Sequence, residues 1–289
     1  MKLATLTTET ESLVVGVVSD ESGDRFVSLA AGDSSLPKSL REVLSLADWQ
    51  SRCERALFEA RQQGAYVAGR LAAPIPDPAK VICIGLNYRD HAYEAGMEIP
   101  SEPVCFGKFG NTIIGPDEPI RLPRVASQVD FEAELVIIMG RRAYEVPRDE
   151  AFQYVAGYCN GHDVSARDWQ IGKPGKQWLL GKTPDTFAPI GPWLVTSDEI
   201  ANPHALSIQL SLNGEIMQQG NTSEFIFGVD ELIAYLSQIM TLEPGDVIFT
   251  GTPPGVGMGR KPPVWLQPGD VVEIEISGLG KLTNPVQSA

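Results

Sequence analysis

The stretch Asp130-Phe131-Glu132-Ala133-Glu134-Leu135-Val136-Ile137-Ile138-Met139 decides how the chain is read. Its closing apolar run is the pattern of a buried strand. A strand turns residues i and i+2 to one face, so Glu132 and Glu134 point the same way at the mouth of a buried element. Two carboxylates this close repel unless a cation stands between them. Their oxygens are hard ligands and suit Mg²⁺ or Mn²⁺, with Ca²⁺ as a further candidate. The plain alternative is a strand end whose carboxylates sit in water, and Glu-x-Glu alone does not decide between the two.

A third acid changes the balance. Val155-Ala156-Gly157-Tyr158-Cys159-Asn160-Gly161-His162-Asp163-Val164 reads as a second short strand that closes on Asp163. Between the strands lies Pro147-Arg148-Asp149-Glu150-Ala151-Phe152-Gln153-Tyr154, where a proline near the first turn suits a helix. Strand, short helix, strand would return Asp163 to the side of Glu132 and Glu134. Three carboxylates completed by water can build an octahedral oxygen site.

Composition narrows the classes of function. The chain has 289 residues, 43% hydrophobic and 21% charged, enough for one large domain or a large and a small one. Its formal net charge of -14 argues against nucleic acid and against an anionic membrane surface as partners. The four cysteines, Cys53, Cys83, Cys105 and Cys159, form no C-x-x-C pair; Cys83 and Cys159, within apolar strand-like runs, read as core thiols, and a reducing compartment fits. No apolar stretch reaches the length of a membrane span, and the first residues lack a secretory apolar segment, so a cytoplasmic protein is expected.

Residues 1–73 read as a small N-terminal domain, set off from a catalytic domain over 74–289 by the stiff stretch Pro74-Ile75-Pro76-Asp77-Pro78. Within the first part, Ser39-Leu40-Arg41-Glu42 fits a capping box at a helix start. The second part is rich in strands and turns. Asn213-Gly214 follows an alternating strand as a hairpin signal. Pro244-Gly245 and Pro268-Gly269 each suit a type II turn. Leu232, Leu236 and Ile239 recur at helical spacing. The fold expected is mixed α/β and β-dominated, without a βαβ repeat.

Further chemistry is scattered through this part. His91 and Glu94 stand at i and i+3, so on a helical turn the carboxylate faces the imidazole and raises its basicity, which suits a general base. A surface histidine with a helix partner is the bland alternative. Lys182, in Gly181-Lys182-Thr183-Pro184-Asp185-Thr186, could meet a carbonyl or carboxylate, or be an ordinary surface lysine. Gly251-Thr252-Pro253-Pro254-Gly255 lacks the following helix of a nucleotide loop and suits a rigid loop that offers amides and the Thr252 hydroxyl. His162 would face away from the acidic cluster, and His204, in Asn202-Pro203-His204, is expected in solvent.

Five segments in order resemble the fumarylacetoacetate hydrolase family: Gly85-Leu86-Asn87-Tyr88-Arg89-Asp90-His91, Asp130 to Leu135, His162-Asp163-Val164-Ser165-Ala166-Arg167-Asp168, Gly181 to Thr186, and Pro244-Gly245-Asp246-Val247 leading to Thr250-Gly251-Thr252-Pro253. The likeness spans about Lys80 to Asn284. Within the family the chain looks most like the hydrolases of 2,4-diketo-3-deoxy sugar acids and the fumarylacetoacetate hydrolase domain-containing 2 proteins. The resemblance implies a β-sandwich roll, a homodimer, and Mg²⁺ or Mn²⁺ held by Glu132, Glu134 and Asp163. It implies a catalytic dyad of His91 and Glu94 on a lid, with Lys182 as a further catalytic group and Arg167, Gln170 and Thr252 as substrate contacts. The implied reaction is hydrolytic cleavage of a C–C bond in a 2,4-diketo acid, releasing pyruvate. Decarboxylation of oxaloacetate and hydration or isomerisation of a 2-keto-enoic acid rest on the same enolate chemistry. A metal-stabilised protein that has lost catalysis is the non-enzymatic alternative.

Overall fold

The computed structural model describes residues 1–20, 23–94 and 96–289. The lid that carries His91 and Glu94 is expected to run on through a stretch, Tyr93 to Ser101, that orders over a bound metal and ligand; Ala95, inside that stretch, lies outside the described residues. A twelve-stranded sheet runs, in spatial order, through Tyr66–Val67, Gly23–Ser28, Ser12–Asp20, Lys2–Thr7, Ala188–Thr196, Val155–His162, Ala133–Met139, Val247–Phe249, Val81–Gly85 and Val104–Lys108. Arg70–Leu71 and Ile113–Ile114 pair off this path. A five-stranded sheet of Glu215–Asn221, Ser207–Leu212, Val271–Ile276, Gly280–Ser288 and Ile120–Leu122 packs on its middle strands. The result is the strand-dominated mixed fold expected.

The apolar run at 135–139 is continuous because both faces of its strand are covered. Leu135, Ile137 and Met139 pack toward the five-stranded sheet, with Ile208, Leu210 and Ile274. Val136 and Ile138 pack the other way, with Leu40, Val43, Trp49 and Cys53 from the N-terminal helices. Residues 1–73 therefore cover one face of the central strands. They also extend the sheet, since Lys2 and Leu3 pair with Val195 and Leu194.

Local signals resolve one by one. Asn213 and Gly214 both have positive φ, 54° and 82°, as a type I′ hairpin turn requires. Helix Val229–Ile239 buries Leu232, Ile233 and Leu236. The expected helix after Pro147 is a 3₁₀ helix over Arg148–Tyr154. The capping box does not form: Ser39 stands at the N-cap of the short helix Leu40–Leu44, but its hydroxyl makes no cap bond and is buried without a partner.

His204 is half-buried, not a solvent group. Its Nε2 accepts the Val229 amide at 2.9 Å, so imidazole does the work of an N-cap acceptor for helix Val229–Ile239. Burial lowers its pKa, against the nearby Asp230 carboxylate and with the Arg148 guanidinium, and Glu231 lies on the same Arg148. A folded pKa below the unfolded one favours folding with neutral imidazole. Its contribution is present above the unfolded pKa and is lost as pH falls toward the folded one. His204→Ala is expected to cost more stability at about pH 8 than at about pH 5, read by urea unfolding at both. An equal cost at both would show that the imidazole acceptor does not matter.

Candidate metal and acid–base site

Four strand ends meet at one place. Ala133 pairs with His162 across the sheet, and the Asp163 amide donates to the Glu132 carbonyl at 2.9 Å. The start of one strand and the end of the next thus bring Glu132, Glu134 and Asp163 together. All three are buried, with one carboxylate oxygen of each within 4.8 Å of the others. The third strand closes on Thr250-Gly251-Thr252. Its Thr250 and Thr252 hydroxyls donate to the carbonyls of Leu135 and Ala133, and the Gly251 amide donates to Glu134 Oε2 at 2.7 Å. Gly251 has φ +97°, and a Cβ there would stand 2.7 Å from that of Asn87, so only glycine serves. The fourth strand, Val81–Gly85, leads into helix Arg89–Glu94.

The acids are matched by buried cations. Lys182 Nζ donates to Glu132 Oε2 and Asp163 Oδ2, both at 2.6 Å. Arg167 bonds Asp130 at 2.8 Å, the Gln170 side chain at 2.8 Å, and Glu132. Lys108 pairs with Asp163 Oδ1 at 2.5 Å and donates to the Val164 and Phe187 carbonyls. These contacts split the carboxyls. Burial alone would raise the Glu132 pKa, but the charges of Arg167 and Lys182 outweigh it and hold this carboxyl below the usual range. Glu134 has no such partner. Burial, with the charges of Asp163 and Glu132, pushes it well above that range. Burial works against the Lys182 ammonium, yet Asp163 and Glu132 hold its pKa up at about 12.

The donor set fits a divalent cation. Three hard oxygens within 4.8 Å of one another can be bridged by one ion at about 2.0–2.6 Å from each. Charge points the same way. Four buried carboxyl groups, Asp130, Glu132, Glu134 and Asp163, face three buried cations, Lys108, Arg167 and Lys182. With a divalent ion bound and all four ionised, the cluster would carry one net positive charge, which favours an anionic ligand.

A cavity of about 380 Å³ opens over this cluster. His91 and Glu94 line it from the helix, with His91 Nδ1 3.1 Å from Glu94 Oε2. Ile84, Phe106, Ile171, Trp178 and Met258 give it an apolar wall. Lys182, Arg167, Gln170 and Thr252 all line it too, so the expected metal ligands, catalytic groups and substrate contacts all border one cavity. All four of these residues arrive already engaged, Gln170 through its side-chain oxygen, which accepts from Arg167. Lys182 and Arg167 are locked to carboxylates, and the Thr252 hydroxyl, besides donating to Ala133, accepts from Gln218 Nε2 at 2.8 Å. His162 is fully buried and both ring nitrogens lack partners; burial, ahead of the Lys108 charge, lowers its pKa to about 3 and keeps it neutral. Lys108 and the support role of Asp130 went unread. Asp130 stands in the quoted stretch, but nothing local marks it as an acceptor for Arg167, and Lys108 ends a strand of ordinary composition.

The fold and the site define a member of a known enzyme family. The fumarylacetoacetate (FAA) hydrolase C-terminal profile matches residues 80–287, and the chain belongs to this family. It is 47% identical over 270 residues to "Oxaloacetate tautomerase fahd2, mitochondrial" of Xenopus laevis, covering 92% of this chain and 84% of that protein. Among solved structures it resembles the fumarylacetoacetate hydrolase of Exiguobacterium antarcticum, at 33% identity and TM-score 0.83, with each chain covered in full. It also resembles the maleylpyruvate hydrolase of Sphingobium sp. SYK-6 in complex with manganese (II) ion and pyruvate, at 28% identity and TM-score 0.81, again with full coverage of both. The expectation of a cytoplasmic protein is overturned by these relatives: the frog protein, and bovine and human ones at 46% and 45% identity over 91% of this chain and 84% of their own length, are named mitochondrial. The absence of a secretory segment carried no information about that compartment.

Proposed function

We propose that the protein is a divalent-metal-dependent enzyme that interconverts the enol and keto forms of oxaloacetate or a closely similar 2-oxo acid. One observation carries the reading. Of the ionisable side chains around the cavity, Glu132, Asp163, Arg167 and Lys182 are fixed in ion pairs, while His91 and Glu94 form a separate imidazole–carboxylate pair. Such a pair can take and return one proton, and tautomerisation asks for no more. The name of the frog relative supports the same choice.

Glu132, Glu134 and Asp163 would hold Mg²⁺ or Mn²⁺. When bound, that ion supplies Lewis acidity to a 2-oxo acid. The chain's own residues do the rest. Glu94 accepts the Nδ1 proton and leaves Nε2 of His91 as the exchanging atom. A proton leaves the C2 hydroxyl of the enol and one arrives at C3, so nothing is oxidised and no water is consumed. Lys182 adds fixed positive charge where oxygen becomes negative. The apolar wall keeps water from the enolate.

Hydrolysis of an acylpyruvate is the second reading. It is favoured by the apolar wall, which suits an acyl arm, and by the likeness to maleylpyruvate hydrolase. Decarboxylation of oxaloacetate uses the same enolate. A homodimer, implied by the family resemblance alone, is part of the proposal whichever reaction holds. The test follows loss of the enol absorbance of oxaloacetate, with pyruvate release from oxaloacetate and acylpyruvates measured in parallel, each with Mg²⁺ and Mn²⁺. Faster tautomerisation with little pyruvate is expected. Pyruvate release from acylpyruvates without faster tautomerisation would replace this reading by the second.

A further inference from the structure

Glu94 does more than face His91. Its two carboxylate oxygens accept the Gly255 amide at 3.0 and 3.2 Å, tying helix Arg89–Glu94 to the loop that follows Thr252-Pro253-Pro254. That amide is held by its surroundings. Gly255 has φ +100°, and a Cβ there would stand 2.3 Å from the Met217 carbonyl oxygen. Arg260 closes the arrangement from outside. Its Nε donates to the Gly255 carbonyl at 3.2 Å, and its Nη2 to the Met217 carbonyl at 2.5 Å. One guanidinium thus clamps two segments, at Gly255 and Met217, whose approach fixes the backbone of Gly255 and with it the amide offered to Glu94.

The same loop reaches the acidic cluster. The amides of Gly257 and Met258 donate to the two oxygens of Asp130 at 2.7 and 3.1 Å. Asp130 in turn accepts from Arg167, which also holds Glu132. A single loop, 255–260, therefore fixes the dyad and the carboxylates in one frame.

We infer that Arg260 is a positioning residue for the reaction: it does not line the cavity, and it acts on Glu94, and so on the orientation of His91, through the backbone of Gly255, whose carbonyl it holds and whose amide Glu94 accepts. The inference rests on the reading of His91 and Glu94 as the proton-transfer pair. Arg260 is only partly buried, so its replacement should leave the fold intact.

The test compares Arg260→Met, Arg260→Lys and Gly255→Ala with the wild type. It reads kcat and KM for oxaloacetate, Mn²⁺ affinity by calorimetry, and hydrogen exchange of residues 86–94. Arg260→Met is expected to lower kcat by about tenfold to a hundredfold, the scale on which small displacements of a reacting group act. KM and Mn²⁺ affinity should hold, and the helix amides should exchange faster. Arg260→Lys keeps one donor and should recover part of kcat. Gly255→Ala, pushing the same peptide from the Met217 side, should give the same signature as Arg260→Met. Wild-type kcat and wild-type exchange in Arg260→Met overturn the inference, whatever Gly255→Ala shows. So does a loss of kcat that comes with a loss of Mn²⁺ affinity, because Arg260 would then support the carboxylates instead. If the tautomerase reading itself is wrong, the wild type shows no turnover of oxaloacetate, while the exchange of residues 86–94 still reports on Arg260.

Discussion

Glu134→Gln should leave the metal-free protein at least as stable as the wild type, while its stabilisation by Mn²⁺ or Mg²⁺ disappears and turnover with it. The two effects part because of how Glu134 is held. Among the described residues its one hydrogen bond is from the Gly251 amide, which a glutamine oxygen can accept as well. Its charge is disfavoured by burial and by Asp163 and Glu132, so the amide removes a repulsion. Asp163→Ala should behave in the opposite way in the metal-free state. Asp163 is paired with both Lys108 and Lys182, and its removal strands buried ammonium charge. Breaking a buried pair in this way costs about 3–5 kcal/mol. Thermal unfolding with chelator and then with added ion separates the cases. A ligand present at a hundred times its Kd adds about 2.7 kcal/mol to the wild type and should add little to either variant. Full ion-dependent stabilisation of Glu134→Gln would remove Glu134 from the ligand set.

The site was legible in the sequence to the extent that its groups were local. Glu132 and Glu134 follow from the period of a strand, and His91 with Glu94 from the turn of a helix. Asp163 needed one further step, an antiparallel return, which the short intervening segment permits. Lys108 offered no such handle. Its meaning comes from a strand three places away in the sheet, with Val247–Phe249 and Val81–Gly85 between it and Ala133–Met139. The N-terminal segment shows the same limit. Its strands and helices are marked by composition and turns, but the pairing of Lys2–Thr7 with Ala188–Thr196 leaves no trace in either stretch. Ser39 shows the converse: a local capping pattern that does not form, because packing of Leu40, Val43 and Leu44 buries the helix start and takes the hydroxyl out of reach of a donor. Whether a polar side chain is free or spent is likewise decided by tertiary contacts. Arg167 and Thr252 sit at the cavity as expected, yet their donors already serve Asp130, Glu132 and Ala133.

His91→Ala should lower turnover by about 10²–10⁴, the range for loss of a positioned acid–base group. Metal binding should be nearly unchanged, since His91 is not among the three clustered carboxylates. Helix Arg89–Glu94 should hold as well. Glu94 loses the imidazole but keeps the Gly255 amide, so the tie between helix and loop survives the substitution. This distinguishes His91→Ala from Glu94→Gln. The amide of glutamine is a weaker acceptor for both Nδ1–H and the Gly255 amide, because it gives up a charge-assisted bond at each. Glu94→Gln should therefore lower kcat and also loosen the helix in hydrogen exchange, where His91→Ala lowers kcat alone. If His91→Ala keeps full turnover, the proton is carried by another group and the dyad is a structural contact. If it loses turnover and metal together, the imidazole lies closer to the ion than the structure places it.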